Sequence, residues 1–226
     1  MRQTRARFPK SLQRGAQTSA PLPDQAHTMR IALLGGSFNP PHIGHLLNAC
    51  YVLGAHRVDA VWLMPVFRHA FDKRLAPFDA RVAMCERAIA PFGDRLAVTR
   101  LEAEAPPGCF TVDLLEWLLP RHPDDQFSLV IGSDILRERH KWKSFDRIER
   151  MVDIIVVPRA GYPMEKNDLG EATRQKSNAC APTTDQSLFL PEVSSSQIRD
   201  LIARGQNPGP LLPKGVYEYI MENSIY

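Results

Sequence analysis

Gly35-Gly36-Ser37-Phe38-Asn39-Pro40-Pro41-His42-Ile43-Gly44-His45-Leu46 is the stretch on which the reading of the fold turns. The apolar run Arg30-Ile31-Ala32-Leu33-Leu34 precedes it and reads as a buried parallel strand. Pro40-Pro41 suits the entry to a helix, so the whole reads as a strand–turn–helix junction. Gly35 and Gly36 let backbone N–H groups approach a phosphate closely, and the helix N-terminus behind them favours negative charge. His42 and His45, three apart on the first turn, then project from one face towards the same anion. A glycine pair after a strand is commonly only a tight turn, and a single histidine is commonly a surface or core residue. Two histidines bracketing a glycine at such a junction point instead to a nucleotide phosphate site.

Outward from that junction, strand and helix signals alternate. Strands are expected at 30–34, 58–64, 96–100, 127–131, 153–157 and 187–190, and helices at about 42–55, 77–91, 110–119, 145–150, 195–204 and 214–222. Short, β-branched strands separated by helices mean βαβ units, hence a doubly wound, Rossmann-like parallel sheet with helices on both faces in a single α/β domain. Ligands of such sheets bind beyond the carboxyl ends of the strands, where the strand order reverses. The two-histidine turn follows the first strand at such an end. Residues 163–186, rich in Pro, Asn, Asp, Gly, Lys and Thr without periodicity, read as a surface loop. Neither a GxxxxGK[ST] loop nor a GxGxxG fingerprint is present.

The chain has 226 residues, 44% hydrophobic and 23% charged, ordinary for one globular domain. No apolar run approaches the ~20 residues of a membrane span. Cys50, Cys85, Cys109 and Cys180 form no CxxC pair, and three lie in apolar contexts; reduced core thiols, no metal site and a cytoplasmic protein are expected. The net charge of +3 misleads, because residues 1–28 alone carry Arg2, Arg5, Arg7, Lys10 and Arg14 against Asp24. The remainder is near neutral, which gives no basis for nucleic-acid binding. The 1–28 stretch lacks the apolar core of a secretory signal and reads as a disordered basic extension, with Met29 opening the first strand of a 29–226 domain.

The first stretch resembles the HxGH signature of the nucleotidylyltransferase superfamily, in its fuller form GGxFDPxHxGHL. Val193-Ser194-Ser195-Ser196-Gln197-Ile198-Arg199 resembles that superfamily's second signature, ISSTxIR. Ile131-Gly132-Ser133-Asp134, with Trp142 eight residues on, is similar to the IGxD…W stretch of bacterial nicotinate-nucleotide adenylyltransferases. Arg159-Ala160-Gly161-Tyr162-Pro163 and Leu211-Leu212-Pro213…Val216…Tyr219-Ile220 fit the same family. The likeness spans residues 29–226, with its motifs in order.

That resemblance implies adenylyl transfer: ATP and nicotinate mononucleotide give deamido-NAD and pyrophosphate, with Mg²⁺ arriving on ATP. It implies His42, His45 and Arg199 as catalytic residues, His45 the more critical. Gly35, Gly36, Ser37, Phe38, Asp134, Ser195 and Ser196 would bind ATP. Ser194 or Ser195 would cap the helix that starts there. Asp134 has an ordinary alternative as a helix N-cap, and the serine run an ordinary alternative as a cap alone. Thr111, Trp142, Arg159 and Lys73 would hold the mononucleotide, Trp142 by stacking on the pyridine ring and Thr111 by bonding its carboxylate.

Two departures bear on substrate choice. The family's PPHK stretch is replaced by Pro65-Val66-Phe67-Arg68-His69-Ala70-Phe71-Asp72-Lys73, and its usual aspartate by Asn39. The rival within the class is a nicotinamide-mononucleotide adenylyltransferase; from another class, a non-catalytic nucleotide sensor. Pantetheine-phosphate adenylyltransferases lack the IGxD…W stretch, and cytidylyltransferases end in an RTxGIS-type signature absent here. Whether the protein forms a homo-oligomer stays open.

Overall fold

Alternate residues of the first strand feed two separate cores. Ala32 and Leu34 face one, with Leu46, Val52, Met84, Cys85, Ile198 and Ile220; Ile31 and Leu33 face the other, with Leu115, Leu118, Phe145 and Ile148. A strand buried on both faces must read as a continuous apolar run, as 31–34 does. In the computed structural model, which describes residues 28–67, 75–159, 162 and 193–226, this strand is β1 (Arg30–Gly36). It lies at the centre of a five-stranded sheet with β2 (Ala60–Pro65), β3 (Leu96–Val98), β4 (Gln126–Gly132) and β5 (Asp153–Val157). The order is β3-β2-β1-β4-β5 and every pairing is parallel. The order reverses between β1 and β4, so the cleft of the doubly wound sheet opens above Gly36 and Gly132.

Helices α1 (Ile43–Ala55), α2 (Phe78–Ile89), α7 (Ser195–Ala203) and α8 (Lys214–Glu222) supply the first core. The second is closed by α3 (Leu101–Glu104), α4 (Thr111–Leu118), α5 (Ser133–Glu138) and α6 (Phe145–Met151). The α/β reading therefore holds, with local corrections. The third strand stops at Val98, and Thr99–Arg100 turns into α3, which no long periodicity announced. The 77–91 helix ends at Ile89 and continues as a 3₁₀ segment broken at Gly93, whose φ is +67°. Six residues after Gly132 form α5, too short to leave an apolar stripe.

The core-thiol reading holds for Cys85 only; Cys50 is exposed and Cys109 half-buried, all three with free thiols. Residues 1–27 of the basic extension, Lys73, Cys180, the 163–186 loop and the strand expected at 187–190 lie outside the described residues. Among the described residues no helix is long and apolar enough to cross a membrane.

Candidate active site

Four chain segments meet at the carboxyl end of β1. The turn after Gly36 is tight: a Cβ there would stand 3.3 Å from the Phe38 ring, and Phe38 itself has a left-handed φ of +44° with its ring fully buried. The Asn39–Pro40 peptide is cis. His42 does not lie on the helix face as its spacing suggested; it is the N-cap of α1, with extended backbone, and His45 is the third helical residue. The two rings nevertheless converge, with centroids 3.8 Å apart, and the Phe38 ring stands 4.7 Å from that of His45. Gly44 permits this, since a Cβ on it would come within 3.1 Å of the His42 ring.

The His42 backbone N–H donates to His45 Nδ1 at 3.1 Å. An imidazole nitrogen that accepts is unprotonated, so the His45 proton sits on Nε2, where it is free to donate. Burial pushes both imidazoles down, His42 to about 4 and His45 well below its usual range, with the charge of Arg159 adding to the effect. Both are neutral donors near pH 7, and His42 Nδ1 is buried without a partner.

The adjoining β4 ends in Gly132, the N-cap of α5. Asp134 is thus not a cap, which removes its ordinary alternative. Its Oδ1 stands 3.3 Å from Arg159 Nε, and the Arg159 N–H donates to Ser133 Oγ at 2.9 Å. A Cβ on Gly132 would fall 2.2 Å from Asp134 Oδ1 and 2.6 Å from Arg159 Nε, so only glycine leaves room for this pair. The arginine, expected to face a mononucleotide phosphate, has its charge felt at both histidines.

The three serines of α7 divide their work. Ser194 is the N-cap, its hydroxyl accepting from the Gln197 N–H at 3.1 Å. Ser195 Oγ donates to the Pro40 carbonyl at 2.9 Å, docking the helix on the loop. Ser196 Oγ accepts from Arg199 Nη2 at 3.0 Å, while Arg199 Nη1 donates to the Asn39 carbonyl at 2.7 Å. Sequence reasoning missed Arg81, which is 1% exposed and holds the Ser37 and Ala76 carbonyls at 2.9 and 3.0 Å. Its signal was an arginine in register with Cys85 and Ala88 on a buried helix face.

Thr111 opens α4, and Trp142 is half-buried, edge-on to Phe145 at 5.9 Å. Lys143 links the two stretches through both Asp113 oxygens at 2.9 Å and lies over the exposed Phe110 ring at 5.0 Å.

The His42 shift carries a stability consequence. The unfolded imidazole titrates near 6.5 and the folded one near 4, so the unfolded chain takes up the proton first as pH falls. Stability is therefore lost between those values, on the order of 3 kcal/mol for this group. His42→Asn should flatten the fall of melting temperature from pH 6.5 to 4; an unchanged acid slope would contradict the assignment.

Comparison with known proteins bears on this geometry. Residues 33–201 match the family model described as cytidylyltransferase-like. A Myxococcus xanthus protein named "Probable nicotinate-nucleotide adenylyltransferase" is 45% identical over 198 residues, 88% of this chain and 95% of that one. A protein of the same name from Thermus thermophilus is 33% identical, over 88% of this chain and 100% of the other. Among solved structures, the Plasmodium falciparum nicotinic acid mononucleotide adenylyltransferase complexed with NaAD superposes with a TM-score of 0.67 at 19% identity, covering 88% of this chain and 97% of that one. That likeness is one of fold.

Proposed function

Since the chain belongs to the nicotinate-nucleotide adenylyltransferase family of cytidylyltransferase-like proteins, we propose that it transfers the adenylyl group of ATP to nicotinate mononucleotide, giving deamido-NAD and pyrophosphate. The observation that carries this reading is the meeting of His42, His45, Arg159 and Arg199 around the loop at the sheet's reversal point. This is an anion site of neutral donors and guanidinium groups, suited to a triphosphate.

In the reaction the 5′-phosphate oxygen of the mononucleotide attacks the α-phosphorus of ATP, and the bond to the leaving pyrophosphate breaks. No covalent enzyme intermediate is needed, so the work is alignment and charge stabilisation. His45 donates from Nε2, with His42 beside it, to the α-phosphate oxygens as charge shifts. Arg199, steadied by Ser196, takes the leaving pyrophosphate. Backbone groups of Gly35, Gly36, Ser37 and Phe38 line the phosphates, and Ser195 holds their loop. Asp134 aims Arg159 at the substrate anions. Thr111 and Trp142 would form the pyridine side; Lys73, outside the described residues, is only the family-implied mononucleotide contact.

Among the described residues no group of three His, Cys, Asp or Glu could hold a metal ion. Mg²⁺ would arrive with the triphosphate, as the family resemblance implies, and offset phosphate charge there. We further propose that residues 29–226 suffice for activity and that the protein works in the cytoplasm.

The test compares the two pyridine mononucleotides with ATP and Mg²⁺. A carboxylate accepts where an amide NH₂ would leave a donor unpaired, so nicotinate mononucleotide should be preferred by at least ~100-fold in kcat/KM. Trp142→Ala should raise KM for the mononucleotide and leave that for ATP unchanged. Equal turnover of the amide would shift the reading to the nicotinamide substrate. Absence of any dinucleotide product would overturn the transferase reading and favour a nucleotide sensor.

A further inference from the structure

The loop that carries the phosphate-facing backbone has no regular structure of its own and is held from outside. Arg81 from α2 takes the Ser37 carbonyl, Arg199 from α7 takes the Asn39 carbonyl, and Ser195 takes the Pro40 carbonyl. The fourth hold is a side chain. Asn39 is 1% exposed, and its Oδ1 accepts twice, from the Ala76 N–H at 2.9 Å and from the Tyr226 hydroxyl at 2.6 Å. Two donors aimed at one atom fix which end of the amide is oxygen. The other end, Nδ2, is then buried with no partner.

An orphaned buried amide is an unfavourable arrangement, kept only while its oxygen is held more strongly than its nitrogen is missed. Tyr226 supplies half of that hold from 187 residues away in sequence. Burial raises the pKa of its phenol, so the hydroxyl remains a donor throughout the neutral range. The same Asn39 whose side chain Tyr226 holds offers its carbonyl to Arg199 Nη1 at 2.7 Å. The tyrosine is thus one residue removed from the guanidinium.

We infer that Tyr226 is a positioning residue for adenylyl transfer: its hydroxyl fixes Asn39, and Asn39 fixes Arg199 against the phosphate loop. The inference rests on the proposed function for its effect on catalysis, though not for its effect on the loop. Tyr226→Phe keeps the ring and deletes only the hydroxyl. Asn39 Oδ1 then keeps only the Ala76 N–H, so the residue is held less tightly and its carbonyl shifts relative to Arg199. Misplacement well under 1 Å should cost about tenfold in kcat, with KM for the mononucleotide within about twofold and the melting temperature nearly unchanged.

Two measurements decide it. In the Arg199→Ala background, Tyr226→Phe should cost less than about twofold, because the route through Arg199 is already cut. An equal loss in both backgrounds, or no loss in the otherwise unaltered protein, would overturn the inference. In the substrate-free protein, amide exchange over residues 37–42 should speed up on Tyr226→Phe while that of 214–222 stays the same. If the unaltered protein forms no dinucleotide, the proposed function fails by itself, and the exchange experiment alone decides: unchanged protection of 37–42 overturns the role of Tyr226.

Discussion

His45→Ala is expected to cut turnover by ~100-fold or more, the scale of losing one preorganised donor to a developing anion. The ring is held by its neighbours: the Phe38 and His42 rings pack tilted against it, and the His42 N–H occupies Nδ1. Its one proton is thereby committed to Nε2, and its low pKa keeps it neutral near pH 7. A donor so fixed needs no reorganisation when charge moves onto the α-phosphate. The same ring also satisfies the N-cap N–H of α1, so its removal should cost the fold about 1 kcal/mol as well. Measuring kcat on protein whose folded fraction is established separates the two losses. Persisting activity per folded molecule would make His45 structural only.

Arg81→Ala should produce the largest loss of stability. The guanidinium is 1% exposed in a helix face that otherwise packs Val82, Cys85, Ala88 and Ile89. Its removal leaves the Ser37 and Ala76 carbonyls without their donor and opens a cavity the size of the side chain. Each of these half-buried carbonyls left without its donor costs ~1 kcal/mol, and the cavity adds ~2 kcal/mol, so a total of about 4 kcal/mol is expected. For a domain of this size that lowers the melting temperature by ~10 °C. The burial that lowers the Arg81 pKa is partly offset by Cys85, Tyr226 and Glu102, so the group belongs to an interior rather than a solvated face. Arg81→Lys, which can still reach one carbonyl, should recover part of the loss. A melting temperature unchanged by Arg81→Ala would show that the loop is held without it.

The two predictions describe one design. The phosphate loop must expose its N–H groups to a substrate, so its own carbonyls cannot be satisfied by a regular ladder. Arg81, Ser195 and Arg199 satisfy them instead, the first from α2 and the other two from α7. Rigidity at the site is thus imported from α2 and α7 rather than generated within the turn.

What the sequence determined by itself was whatever depends on neighbours in the chain. The double-faced burial of β1 was legible because Ile31, Ala32, Leu33 and Leu34 are all apolar. A serine cap, Ser194 or Ser195, was legible because acceptor and N–H lie three residues apart; the structure selects Ser194, paired with the Gln197 N–H. Family resemblance, rather than neighbour effects, pointed to His42, His45 and Arg199, and the fold brings these residues to one loop. Only the tertiary structure decided which polar groups meet across the fold: Asp134 with Arg159, Ser195 with Pro40, Arg81 with Ser37, and Tyr226 with Asn39. Apolar burial is non-directional and leaves a periodic trace in the sequence. A buried hydrogen bond is directional, satisfied by a single partner that packing brings from any distance along the chain, and no local pattern encodes that partner.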